Sequence, residues 1–380
     1  MSQDKRNPRK RPVFKVSAID DQEKFQPLPS ATRAYPYRLD IEQILPDIAH
    51  DDSISFHMAG DTGGLSSPEY QQQVIAAMID QCRTEAADKP QFLFHLGDVV
   101  YNYGQASEYY RQFFNPYRNY PCPIFAIPGN HDADIDLTRL NPTPSLEAFV
   151  KVFCDTEQRE LDLAGDTGRK SNIQPNVYWV LETPLADIIG LYSNVPRFGN
   201  VQNEQRQWFI ESLKTSATNN KAIIVCVHHS AYSADINHGS SIHMQMLIDG
   251  AIRESGVFPD AVFSGHVHNY QRFNKIYPGG EIVPFVVAGG GGYAGMHALA
   301  DPDDPEFPES SCLLDGVELQ NYCDDEHGFL KIDLEKKDDS LTIKGQYFTT
   351  GAGETRLFDS FSVLCRPSVA LTQTVNSLQD

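Results

Sequence analysis

Aspartates, an asparagine and histidines recur in this chain directly after short apolar runs. Asp61 stands in Gly60-Asp61-Thr62-Gly63 and Asp98 in Gly97-Asp98-Val99-Val100-Tyr101. Asn130 and His131 stand in Gly129-Asn130-His131-Asp132, His228 and His229 close the run Val225-Cys226-Val227, and Gly265-His266-Val267-His268 closes another. Carboxylate, amide oxygen and imidazole form a hard-to-borderline donor set suited to Fe, Zn or Mn rather than to a thiolate-seeking metal. A single such residue in a loop usually caps or turns the backbone. Five in matching positions exceed what one ion needs. Glycine before the Asp, Asn or His at four of the five positions predicts a sharp turn that brings each donor inward.

The elements needed to position these residues can be read from periodicity. Strands are expected at 54–59, 91–96 and 123–127, with helices at 68–87 and 108–114 between them. The pattern resumes with strands at 177–182 and 188–192, a helix at 202–214, the very apolar strand 222–227, a helix at 243–254 and a strand at 261–264. It closes on strands at 282–288, 328–334, 341–348 and 357–363. Strands spaced by helices imply βαβ units, and the order fits an α/β fold with two sheets packed as a sandwich and helices outside. The carboxyl ends of parallel strands converge on a ligand crevice, so the five strand ends deliver their polar residues to one place. Residues 1–48 read as a basic, Pro-rich arm with one short docked piece, 49–366 as the catalytic unit with an acidic insertion loop at 301–325, and 367–380 as a tail.

The chain has 380 residues and a net charge of -20, which argues against whole-surface binding to nucleic acid or an anionic membrane. Its charge extremes are local: Lys5, Arg6, Arg9, Lys10, Arg11 and Lys15 cluster at the start, and 301–326 carries acids without Lys or Arg. Seven cysteines without a Cys-x-x-Cys pair indicate neither a disulfide scaffold nor a Cys-based zinc site. No apolar run reaches membrane-spanning length and no leader-like apolar stretch follows the basic start, so cytoplasmic residence is expected, with secretion if the start is misassigned.

These five blocks, in this order, resemble those of the binuclear metallophosphoesterases, and among them most closely the purple acid phosphatases, over roughly residues 53–365. Gly63 and Tyr101 carry the finer resemblance. Many other members have His two positions after the first Asp and Asp three positions after the second. The resemblance implies a metallophosphoesterase fold and two metal ions. A ferric ion would be held by Asp61, Asp98, Tyr101 and His268, and a second ion, Zn, Mn or Fe, by Asp98, Asn130, His228 and His266, with Asp98 bridging. A phenol with a pKa of about 10 ligates only a strongly Lewis-acidic ion. The implied reaction is hydrolysis of small phosphomonoesters by hydroxide held at the two ions. His131 is the candidate to protonate or stabilise the leaving oxygen, with Asp132 as its orienter or, equally, as a cap. Asn130, His131 and His238, the last on a loop that would overhang the site, are candidates for binding substrate phosphate. A phosphodiesterase or nucleotide hydrolase on the same scaffold is the alternative, as is a regulatory protein that keeps the metals without turnover.

Other histidines read as structural: His57 and His95 lie within strands, and His229 points away from His228 if alternation continues. Asn269 and Tyr270 either line the pocket or pack. Gly290, Gly292 and Gly295 match a Gly-x-Gly-x-x-Gly pattern, but no helical pattern follows, so they do not read as a dinucleotide fingerprint.

Overall fold

The computed structural model describes residues 11–366, apart from 17–18, 51, 85, 87, 302–303, 305 and 308–310. The first ten residues of the basic arm, the tail and part of the acidic stretch therefore lie outside the described residues. The described strands form two sheets. One has eight strands in the order Arg38–Asp40, Trp179–Glu182, Ala186–Leu191, Ala222–Val227, Ala261–Ser264, Ile282–Ala288, Tyr270–Ile276 and Val317–Cys323. The other has six, in the order Arg356–Leu364, Ser340–Thr349, Gly328–Lys337, Ser53–Ala59, Leu93–His95 and Ile124–Ala126. Each sheet contains a parallel run that begins where a helix-spaced pattern was expected: 53–59, 93–95 and 124–126 in one, and 186–191, 222–227, 261–264 and 282–288 in the other.

Ala222–Val227 shows why the sheets stack. Ile224 and Cys226 face the other sheet, in one core with Phe56, Met58, Phe94, Leu330 and Ile332. Val225 and Val227 belong to the outer core with Trp208, Phe209 and Leu213 of the helix Asn203–Ser216 and Ile248 of the helix Ile242–Ser255. A strand covered on both faces has no polar side, hence its unbroken apolar text. The helix Pro68–Cys82 covers the other sheet with Val74, Ile75 and Met78. The result is the expected α/β sandwich, with sheets inside and helices outside.

Four local expectations are corrected. The first helix stops at Cys82 rather than Ala87, because its last buried residue is Ile79 and the helix-compatible Arg83 and Thr84 have nothing apolar to bury. The second is a short α-turn, Ala106–Tyr109, that widens into a π-turn over Tyr110–Phe114. Tyr270–Ile276, which was not anticipated as a strand, pairs antiparallel with both Ile282–Ala288 and Val317–Cys323. The latter strand lies inside the stretch read as an insertion loop. Its apolar alternation is interrupted by a register shift between Leu319 and Asn321, which hides it from a period-two reading.

The intersheet core makes a direct stability prediction. Phe56 is fully buried and stacks on Phe92 with ring centroids 4.6 Å apart. Phe56→Ala should cost about 3–5 kcal/mol through lost burial and cavity formation, read as a lower urea midpoint. A loss below about 1 kcal/mol would show that the sheets can close over the gap.

Candidate metal centre

All five expected strand ends meet at the seam between the sheets, three from the six-stranded sheet and two from the eight-stranded one. Backbone bonds fasten these ends across and within the sheets: Gly60 N donates to Ala288 O at 2.9 Å across the seam, Asp61 N to Gly97 O at 2.9 Å on the six-stranded side and Gly265 N to His228 O at 3.1 Å on the eight-stranded side. Asp61, Asp98 and His266 themselves have φ of 58°, 55° and 69°. The sharp turn expected of the preceding glycines therefore falls mainly on the polar residues, in a region that costs non-glycine residues of order 1–3 kcal/mol each. Glycine is required for close approach and, at Gly97 with φ 99°, for the turn as well. A Cβ on Gly129 would lie 2.1 Å from Asp98 Oδ1.

The side chains separate into two groups. In the first, Tyr101 Oη lies 3.3 Å from Asp61 Oδ1 and 3.3 Å from His268 Nε2, and His268 Nε2 lies 3.5 Å from Asp61 Oδ1. In the second, Asn130 Oδ1 lies 3.1 Å from His228 Nε2 and 2.9 Å from His266 Nδ1, while Asp98 Oδ2 is 3.4 Å from His228 Nε2. Asp61, Asp98 and His228 link the groups, each offering a donor atom within 4.8 Å of the others. The two carboxylates share one design. Asp61 Oδ2 accepts from His266 N at 2.8 Å, leaving Oδ1 for the first group; Asp98 Oδ1 accepts from His131 N at 2.9 Å, leaving Oδ2 for the second.

The donor set fits cations. His228 Nδ1 donates to Leu96 O and His268 Nδ1 to Gly295 O, both at 2.8 Å, so each ring turns its Nε2 toward the carboxylates. Both carboxylates are at most 1% exposed, and buried charge requires pairing or a metal. Burial alone would raise the Asp98 carboxyl, yet His228 and His131 pull it well below the usual range. Burial works against a charged His228, but Asp98 and then Asp61 raise it to about 9. The pocket thus draws positive charge to the ring nitrogen that faces the centre. Burial first, and then Asp98 and Asp61, push the Tyr101 phenol well above its ordinary value, so only a strongly polarising cation could ionise it.

Around this centre the remaining candidates take distinct places. His131 is half-exposed, with Nδ1 3.0 Å from Asn102 O and its ring 4.6 Å from that of Tyr101. Asp132 does not reach the His131 ring in any hydrogen bond; its carboxylate accepts from Gly129 N at 2.9 Å, Val100 N at 3.0 Å and Val99 N at 3.2 Å. That is the capping geometry, clamping the Asp98 loop to the Asn130 loop. Burial and then the charge of Asp98 raise its carboxyl to about 7 against the pull of those amides. His238 overhangs the site with its ring 4.1 Å from that of His266. His229 is buried against Ser193 Oγ at 2.7 Å, and His57 and His95 bond to Tyr120 and Thr62. Asn269 and Tyr270 pack, the former donating to His297 O and the latter to Asp359.

Several contributors lay outside the motifs. His297 stacks on His268 at 4.2 Å and reaches Asp235 Oδ2 at 3.4 Å. Tyr293 lies 4.1 Å from the Tyr101 ring. Gln112, on the π-turn, accepts from Tyr101 N at 3.0 Å and donates to Tyr101 O at 2.7 Å, fixing that residue's backbone. The glycine run set aside as a nucleotide motif abuts the first strand end: Gly291 N donates to Gly60 O, and Tyr293 N to Asp61 O.

Because Asp98 links both groups, Asp98→Ala should remove all bound metal together, read as metal-to-protein ratio after reconstitution and desalting. Retention of full stoichiometry would place the link elsewhere.

No curated protein matches the chain. Among solved structures, a dimetal phosphatase from Danio rerio aligns with a TM-score of 0.48 at 11% identity, over 82% of this chain and 99% of that one. No helix among the described residues is long and apolar enough to cross a membrane. The family model for calcineurin-like phosphoesterases matches residues 54–270, from the strand Ser53–Ala59 to just past His268. By that match the chain belongs to the calcineurin-like phosphoesterases, whose reaction class is metal-dependent hydrolysis of phosphoesters.

Proposed function

We propose that this protein hydrolyses small phosphomonoesters at a two-ion centre of the purple acid phosphatase type. One site, for a ferric ion, takes Asp61, Asp98, Tyr101 and His268; the other, for Zn, Mn or Fe(II), takes Asp98, Asn130, His228 and His266. The observation that carries this reading is the packing of Gly63 against Tyr101. A Cβ on Gly63 would lie 2.6 Å from Tyr101 Cδ2 and 2.7 Å from Gln112 Oε1. The tyrosine ring occupies the space that any side chain at position 63 would need, so Tyr101 and a histidine at 63 exclude each other. That exclusion supports a phenol-containing ligand set. Gln112 fixes the backbone of Tyr101 through both its N–H and its carbonyl.

Bound ions supply Lewis acidity toward the phosphoryl oxygens and lower the pKa of water. The protein supplies position and protons. Asn130, His131 and His238 line one cleft, which supports assigning them the phosphoryl oxygens of the substrate. Asn102 O accepts from His131 Nδ1, so His131 Nε2 is the atom that gives a proton to the leaving oxygen when the ring is charged. Asp132 keeps the loops bearing Asp98 and His131 in fixed register through its three amide bonds.

Metal-reconstituted protein should turn over a chromogenic phosphomonoester faster than the matching diester, and His131→Ala should lower kcat by about 10²–10⁴-fold. A diester preference would contradict the monoester reading. The iron-loaded, oxidised protein should absorb in the visible, and Tyr101→Phe should abolish that band; an unchanged band would remove Tyr101 from the ligand set. Gly63→Ala should destabilise the protein by about 1–3 kcal/mol through overpacking. A Gly63→Ala/Tyr101→Ala double variant should recover part of that loss, whereas strict additivity would show that the two positions do not compete.

A further inference from the structure

The cleft beside Asn130, His131 and His266 has a volume of about 420 Å³. Part of its wall comes from two segments that supply none of the proposed metal ligands. One is the amino-terminal arm, through Asp21 and Lys24; the other is the loop after the strand Ala186–Leu191, through Arg197.

The arm is tied down on both sides of this wall. Phe14 forms an antiparallel bridge with Gly239, and Val13 N donates to Ser233 O at 2.8 Å while its carbonyl accepts from Ser240 N at 2.7 Å. Val13 is buried with Ala300 and Phe307. Further along, Asn194 Oδ1 accepts from Gln26 N at 2.9 Å, and Asn194 Nδ2 donates to Gln26 O at 2.8 Å. Between these clasps, Asp21 Oδ1 accepts from Arg197 N at 2.6 Å, and Lys24 Nζ lies 2.8 Å from Asp21 Oδ2 across the turn Gln22–Lys24. Lys24 is thus held at the cleft by a segment with fixed ends.

Two cationic heads on this wall have donor capacity left over. An ammonium has three donors and a guanidinium five. Lys24 gives one to Asp21, in a pair whose lysine is 52% exposed and therefore contributes little in water. Arg197 Nη2 donates to Asn237 O, next to His238, while its Nε is buried without a hydrogen-bond partner among the described residues. His238 Nδ1 and His266 Nε2, on the same cleft, are likewise buried and unpartnered. Buried polar atoms without partners call for an explanation, and a bound ligand provides one. Two acids, Asp21 and Asp134, share the wall, so recognition here rests on directed donors and not on a broad positive field.

We propose that Lys24 and Arg197 form a second phosphoryl-binding subsite beside the centre, and that the preferred substrates are small molecules with a second phosphoryl group on the leaving portion. The proposal rests on the phosphomonoesterase reading. The scissile group would sit at the metal ligands with Asn130, His131 and His238, and the second would replace Asp21 on Lys24 and engage the guanidinium of Arg197, a geometry suited to phosphate.

The test compares phosphate release from fructose 1,6-bisphosphate and fructose 6-phosphate by metal-loaded protein. Wild type should favour the bisphosphate by about tenfold in kcat/KM, mostly through KM, and Lys24→Glu should cut that ratio by about tenfold. The preference should also weaken as salt is raised. A ratio near one in wild type, or a ratio unchanged in Lys24→Glu, overturns the subsite. Arg197→Gln should act in the same direction, but Lys24 decides, because Arg197 also holds the loop of His238.

Calorimetry makes the test independent of turnover. Butane-1,4-bisphosphonate should bind the metal-loaded protein about tenfold more tightly than butylphosphonate, and Lys24→Glu should erase most of the difference. Equal affinities overturn the subsite even if neither sugar phosphate is hydrolysed, an outcome that would separately refute the phosphomonoesterase reading.

Discussion

Two carboxylates, Asp61 and Asp98, are buried at the seam where the two sheets meet, and the surrounding structure is organised to make that burial tolerable. Each spends one oxygen on a backbone amide of another motif, His266 N for Asp61 and His131 N for Asp98. Each leaves the other oxygen facing histidine. Desolvating two negative charges is unfavourable unless cations or donors compensate. The same amide bonds that stabilise the carboxylates also join four of the strand ends in two pairs, that of Asp61 to that of His266 and that of Asp98 to that of Asn130, so electrostatic compensation and site geometry are a single feature.

The sandwich serves that feature. His228, from the eight-stranded sheet, donates to Leu96 O of the six-stranded sheet, so the histidine's tautomer is set by contact between the sheets. The intersheet core of Phe56, Phe94, Ile224 and Phe263 keeps that contact in register. Three of the eight described non-glycine residues with positive φ, Asp61, Asp98 and His266, stand at the same place, and their strain is sustained because packing and hydrogen bonds fix them from several sides.

The sequence was most informative where a polar residue interrupts an apolar strand, because nothing but a site or a cap explains Asp98 after Phe94, His95, Leu96 and Gly97. It was less informative where position depends on distant packing. Gln112 reads as an ordinary polar helix residue, and only the π-turn shows it gripping Tyr101. His297 and Tyr293 have no motif spacing, since they reach the centre by stacking on His268 and Tyr101. Lys24 and Arg197 are distant in sequence and line one cleft because the arm is pinned across the loops around Ser233 and Asn194. Asp132 was legible as important but ambiguous in role, and its three amide bonds fit the cap.

The central claim is that Tyr101 belongs to one of two adjacent cation sites joined by Asp98, with Gly63 leaving room for the phenol ring. Anomalous diffraction from crystals of the iron- and zinc-loaded protein, recorded at both metal edges, tests it most directly. The account predicts two peaks about 3.5–4 Å apart, the iron peak bonded to Tyr101 Oη, Asp61 and His268 and the zinc peak to Asn130, His228 and His266, with Asp98 touching both. A single peak, or an iron peak out of bonding distance of Tyr101 Oη, would contradict it.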